Sequence, residues 1–76
     1  MKLIIKLNSE ILYNGNTSLF NEIIPMVGDR ISFDGDCMDE KPCKQYYTVI
    51  TRTFEAYKSL FNSYVEQTCI LQVSKE

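Results

Sequence analysis

The sequence lacks histidine and tryptophan, and it has only three Gly and two Pro in 76 residues. Without histidine, the usual acid–base group at neutral pH is missing, so nucleophilic catalysis would need Asp, Glu or Lys as its base. The three cysteines, with no histidine beside them, also cannot supply four ligands to a structural zinc ion. We therefore predict no enzyme activity, no cofactor and no metal centre.

Long hydrophobic runs and an excess of positive charge are missing as well. The longest unbroken apolar runs have three residues, as at Leu3–Ile5, whereas a membrane-spanning helix needs about 20. Lys6, Asn8 and Glu10 interrupt any signal-peptide core, so we expect a cytoplasmic protein. Eight Lys and Arg against ten Asp and Glu give a net charge of −2, which disfavours a protein that neutralises phosphates.

What is present is the composition of a folded chain, with 45% hydrophobic, 24% charged and 12% aromatic residues. A chain of this length accommodates one core, so residues 1–76 are expected to form a single domain. Small domains are only marginally stable. A buried aromatic side chain removes a large apolar area from water and so contributes much to that stability. We therefore expect most of the aromatic residues to be buried.

Alternating apolar and polar residues predict strands in four segments, which are 2–7, 30–33, 45–54 and 65–73. In the last of them Cys69 lies on an apolar face and is expected to be a small core residue. A turn or bulge is predicted at Asn8–Glu10, a turn at Asn14–Thr17 and an exposed loop at 34–44. A tight turn is also predicted at Pro25–Asp29, where Gly28 supplies backbone freedom and Asp29 accepts main-chain N–H bonds.

Two segments are ambiguous. Residues 18–24 have apolar residues on one face of a single helical turn and predict either a short helix or an irregular edge strand. Residues 54–64 repeat apolar residues at helical spacing, yet they also separate two strong strands. A long hairpin is favoured there over a helix, because a loop of about ten residues joins neighbouring strands readily.

These elements predict an all-β or β-rich α+β fold. We expect a small antiparallel sheet curled into a roll or an SH3-like barrel, with a short helix at 18–24, at 55–64 or at both. The pattern Pro25-x-Val27-Gly28-Asp29-x-Ile31, followed by Tyr47-x-Val49-x-x-Arg52, resembles a layout found in short bacterial and phage-type proteins, and its Gly-Asp-x-Ile segment is similar to that of SH3-like small barrels. The resemblance covers residues 25–73; it implies a strongly bent antiparallel sheet and carries over no catalytic residue.

Two weaker chemical signals lie near the middle of the chain. The first is a cluster of carboxylates, Asp34, Asp36, Asp39 and Glu40, which is typical of a solvated loop and less so of a Ca²⁺ site. The second is Cys43 between Lys41 and Lys44, where positive charge favours a reactive thiolate. A disulfide between Cys37 and Cys43 is disfavoured, because the expected compartment is reducing.

The function predicted from these features is that of a small accessory or adaptor protein that acts through protein–protein binding. The predicted contact residues are Tyr57, Leu60, Phe61 and Tyr64, which either form an exposed interface or close the open end of the barrel. The partner is expected to be another protein or a second copy of the chain. A small inhibitor or regulator of a larger enzyme is the alternative; a nucleic-acid-binding small barrel fits the charge less well.

Overall fold

The computed structural model describes residues 1–36, 42–58 and 65–76, with side chains described for 1–33, 44–56 and 66–76. Strands occupy most of these residues. In chain order the strands are β1 (Lys2–Leu7), β2 (Glu10–Asn16), β3 (Arg30–Asp36), β4 (Pro42–Lys58) and β5 (Val65–Lys75). Within the described ranges, the one helical element is a single 3-10 turn at Thr17–Phe20. No helix in the described part of the chain is long and apolar enough to span a bilayer.

The five strands form one mixed sheet in the order β2-β1-β5-β4-β3, curled into a half-barrel. The predicted class, a β-rich chain with a small curled sheet, is confirmed. The prediction of a purely antiparallel sheet is wrong, because β1 and β5 run parallel over Lys2–Leu7 and Thr68–Val73. A parallel pair requires a long crossover connection, and here the whole chain between its first and last strands supplies it. No local turn signal marks such a pairing.

The core lies on the inner face of this half-barrel and follows the alternation of the strands. Its buried members are Leu3, Ile5, Ile31, Tyr47, Val49, Cys69, Leu71 and Val73. The rings of Phe33 and Tyr47 pack edge to face at 5.9 Å between centroids. Because side chains of a strand point alternately to the two faces, these residues bury one face of β1, β3, β4 and β5. The expected core role of Cys69 is confirmed.

Strands β4 and β5 form the long hairpin that was favoured for the ambiguous segment. They pair antiparallel from Tyr47 opposite Lys75 to Lys58 opposite Val65, with one irregularity at Ile50. The alternative helix at 55–64 is therefore wrong over 55–58, because these residues are paired in the sheet. Residues 59–64 lie outside the described residues.

Three further segments differ from expectation. The predicted helix at 18–24 is reduced to the 3-10 turn, because Asn21 and Glu22 take left-handed conformations with φ of 54° and 66°. Strand β2 continues through Asn14-Gly15-Asn16, where a turn was predicted, and the direction of the chain changes only after Asn16. The predicted loop at 34–44 is shorter than expected, since β3 reaches Asp36 and β4 begins at Pro42.

Candidate functional site

The candidate site begins with the turn that leads into β3. The N–H of Asp29 donates to the carbonyl of Met26 at 2.9 Å, and Gly28, the third residue of the turn, has φ of 94°. The carboxylate of Asp29 in turn accepts the N–H of Met26 at 2.7 Å. A β-turn with positive φ at its third residue favours glycine there. Gly28 thus supplies the positive φ of this turn, and Asp29 accepts a main-chain N–H within it.

The same two residues attach the start of β3 to the middle of β4. The N–H of Gly28 donates to the carbonyl of Val49 at 2.9 Å, and the N–H of Val49 donates to the carbonyl of Asp29 at 2.9 Å. Two residues thus oppose one, which is a G1 bulge with glycine at its first position. This attachment sets the alternation of hydrogen bonds along the rest of β3.

The alternation leaves the outer edge of β3 with unpaired backbone groups. Antiparallel strands alternate hydrogen-bonded and non-hydrogen-bonded pairs. Because Asp29 is bonded to Val49, the next pair, Arg30 with Thr48, is non-hydrogen-bonded, and so is Ser32 with Tyr46. The N–H and C=O groups of Arg30 and Ser32 therefore point away from β4, and among the described strands none pairs with this edge.

An independent contact supports this assignment. The carbonyl of Tyr46 accepts the N–H of Glu76 at 3.0 Å. The Tyr46 carbonyl therefore points away from β3. This is the direction expected if Ser32 and Tyr46 form a non-hydrogen-bonded pair.

An apolar groove of about 410 Å³ runs beside this edge. Its walls come from the segment after the 3-10 turn and from the first residues of β3. The lining residues are Phe20, Ile23, Pro25, Asp29, Arg30, Ile31 and Ser32. Three large apolar side chains of the connection between the 3-10 turn and β3 are exposed, Ile23 by 71%, Met26 by 58% and Val27 by 62%. Of these three side chains, that of Ile23 lines the groove, and Met26 and Val27 follow in the same connection.

The 3-10 turn is what brings the wall of the groove into place. The side chain of Asn16 accepts the N–H of Ser18 at 2.9 Å, which caps the turn, and the N–H of Thr17 donates to the carbonyl of Met1 at 3.1 Å. The buried Thr17 hydroxyl donates to the carboxylate of Glu22. These contacts fix both ends of the turn, so Phe20 packs against the core and faces the groove.

A charged contact lies at the start of the edge. Nε of Arg30 lies 2.6 Å from Oε2 of Glu76, and the hydroxyl of Thr48 donates to Oε1 of the same carboxylate at 3.0 Å. The guanidinium carbon of Arg30 lies 4.0 Å from the centroid of the Tyr46 ring. The hydrogen bond from Arg30, helped by that from Thr48, lowers the pKa of Glu76. Arg30 is thus held in place while its side chain stays 62% exposed.

Of the residues predicted as contacts, only Tyr57 lies in the part of the chain that the structure describes. Tyr57 belongs to the far end of β4, where it is paired with Glu66 of β5. Leu60, Phe61 and Tyr64 lie outside the described residues, so their role stays a prediction. The structure does not bring Tyr57 to the groove. Sequence reasoning missed the groove itself. The signal that could have indicated it is the series of apolar residues from Ile23 to Val27, which joins the ambiguous segment 18–24 to the predicted turn.

Phe54 of β4 is a further exposed apolar residue. Phe54 is paired with Cys69 and lies on the core face, yet it is 54% exposed, against the expectation that most aromatic residues are buried. The guanidinium carbon of Arg52 lies 5.2 Å from the centroid of the Phe54 ring. Burial raises the pKa of the Cys69 thiol, and the charge of Arg52 opposes this effect. A buried protonated thiol is a poor nucleophile, which fits a packing role.

The other chemical signals fall where side chains are not described. Asp34, Asp36 and Cys43 lie in strands, while Cys37, Asp39 and Glu40 lie outside the described residues. The Ca²⁺ and reactive-thiol hypotheses therefore stay predictions. Comparison with protein-family models, curated proteins and solved structures finds no match. The resemblance to SH3-like small barrels likewise stays a prediction.

Proposed function

We propose that this protein is a small interaction module that binds an extended segment of another protein along the outer edge of β3. One observation carries the proposal: at Arg30 and Ser32, backbone groups that no described strand pairs with lie directly beside an apolar groove. Strand addition uses both features, because the main-chain bonds supply affinity and pockets for alternate side chains supply specificity. The role is that of an adaptor, or of an inhibitor if the bound protein is an enzyme.

The chemistry of the edge defines the segment that fits. Ile31 and the wall residues Phe20 and Ile23 favour an apolar side chain in the groove. Arg30, which is exposed at the start of the strand, favours an acidic residue opposite it. The expected ligand is therefore an extended peptide that combines apolar residues at alternate positions with a carboxylate.

Ser32→Pro tests this proposal without opening the sheet. Proline removes the N–H of residue 32, which points away from β4, so no bond of the native ladder is lost. Ser32→Thr is the matched control, because it keeps the N–H and favours a strand. The probe is a library of random peptides displayed on phage and panned on immobilised wild-type protein.

We expect enriched peptides to bind wild type and Ser32→Thr alike and to bind Ser32→Pro at least tenfold more weakly, roughly the loss of one well-formed hydrogen bond. Amide hydrogen exchange should show new protection at Arg30 and Ser32 when such a peptide is bound. Peptides that bind all three proteins equally, or that protect only residues of other strands, would overturn the proposal.

A further inference from the structure

We infer that a second copy of this chain binds at this site, through its own β3. This inference deepens the proposed function and rests on it, because it names the strand that the edge of β3 accepts. The argument depends on the register that two such edges must adopt and on the residues that the register brings together.

Symmetry restricts how two copies of β3 pair. In an antiparallel pair related by a two-fold axis, residues with outward backbone groups must oppose one another. In β3 these are alternate residues, namely 30, 32 and, by continuation, 34. An axis through Arg30 itself would place the two copies of Arg30 opposite each other. An axis beyond Phe33 would leave Arg30 without an opposed residue in the second β3, which ends at Asp36. The remaining axes pass through Ile31, Ser32 or Phe33.

The axis through Ser32 matches both faces of the new pair. It places Arg30 opposite residue 34 of the second copy, an aspartate, and symmetry repeats this opposition of charge. It also places Ile31 opposite Phe33 of the second copy, again twice. Opposite charges and apolar residues at directly opposed positions are the pairs that stabilise antiparallel strands.

The other two axes match less. An axis through Ile31 places Arg30 opposite Ser32, which carries no charge. An axis through Phe33 places Arg30 opposite Asp36 but leaves Ile31 opposite Gly35, which has no side chain to pack. Of the three axes, the one through Ser32 alone gives two pairs of opposite charge and two apolar pairs.

The groove and the charged contact fit the same register. Ile31 lines the groove, and Phe33 keeps part of its ring exposed while it packs on Tyr47, so that part of Phe33 of the second copy lies beside Ile31 at the groove. Arg30 is already held by Glu76 and Tyr46 and loses little freedom when an acidic residue arrives. A stable dimer needs about 1,000 Å² of buried surface, and the exposed Ile23, Met26 and Val27 extend the contact beyond the paired strands.

Sedimentation equilibrium of the full chain, over a roughly hundredfold range of concentration, tests this inference. Wild type is expected to form a reversible dimer. Arg30→Asp and Asp34→Arg each oppose like charges twice and should weaken the dimer about tenfold or more. An equimolar mixture of the two, or the double variant alone, places opposite charges together again and should restore wild-type association.

Arg52→Asp is the matched control, because it makes the same charge reversal at an exposed arginine of β4 that lies outside the proposed pair, and it should leave the dimer unchanged. Ser32→Pro should weaken the dimer and Ser32→Thr should not, which keeps the test valid if a charge variant fails to fold. A dimer unaffected by Ser32→Pro and Arg30→Asp would overturn the inference, because it would use another surface.

A wild type that is monomeric throughout would also overturn it. If the displayed peptides still protect Arg30 and Ser32, the proposed function stands and only the second copy as partner is refuted. If the displayed peptides do not protect Arg30 and Ser32, the proposed function fails as well.

Discussion

Gly28→Ala is expected to lower the free energy of unfolding by about 1 to 2 kcal/mol. The φ of Gly28 is 94°, a conformation that L-residues other than glycine adopt at a cost of about 1 to 3 kcal/mol. A Cβ added there meets no atom within 4 Å, so steric overlap contributes nothing. Restricting the unfolded chain returns about 0.4 to 1 kcal/mol, which is less than the strain.

Urea denaturation followed by circular dichroism measures this loss, with an unchanged dependence on urea as the sign that the folded state is retained. D-alanine at position 28, introduced by chemical synthesis, is the matched control. It adds the same methyl group but favours positive φ, so it should cost nothing and gain up to about 1 kcal/mol. Equal losses for the two enantiomers, or no loss for L-alanine, would refute the reasoning.

Two further predictions follow from the pKa shifts. Because the pKa of Glu76 is lowered in the folded chain, the Glu76 carboxylate stabilises the folded state above its ordinary pKa of 4.5. This stabilisation is lost as the pH falls below that value. The difference in urea midpoint between wild type and Glu76→Gln should therefore shrink in acid, and a difference independent of pH would contradict this. Cys69, which is fully buried and has a raised pKa, should react with iodoacetamide only after unfolding. Mass spectrometry of the labelled peptides checks this, and rapid labelling of Cys69 in the folded chain would refute it.

The strands that could be predicted are those whose side chains alone identify them. Residues 2–7, 45–54 and 65–73 combine alternation with β-branched or aromatic residues, and each lies within an observed strand. The turn before β3 could also be predicted, because positive φ at Gly28 and the cap by Asp29 are local chemistry.

Strand β2 shows why the rest could not. Asn14, Gly15 and Asn16 favour a turn, yet Asn14 and Gly15 pair with Ile4 and Leu3 of β1. The hydroxyl of Tyr13 also donates to the carbonyl of Asn16 at 3.1 Å. Pairing with a neighbouring strand outweighed local preference there. The parallel contact of β1 with β5 depends in the same way on residues far apart in sequence.

The groove could not be predicted from the sequence for a related reason. Its lining comes from the 3-10 turn, the segment around Pro25 and the start of β3, and only the folded chain brings these together. The aromatic spacing at 54–64 is a stronger local signal and predicts contact residues there instead. In the fold, 54–58 belong to a strand, and helical spacing has no meaning over those residues.

The two outer edges of the sheet differ in a way that favours β3 as the binding edge. Strand β2 has a register irregularity where it pairs with Ile5 and Lys6. A bulge within a strand is one of the devices that protect an edge from pairing with another chain. Strand β3 keeps an uninterrupted register with β4 from Arg30 to Asp36. A strand that adds to this sheet therefore finds a regular row of backbone groups beside β3, with the apolar groove next to it.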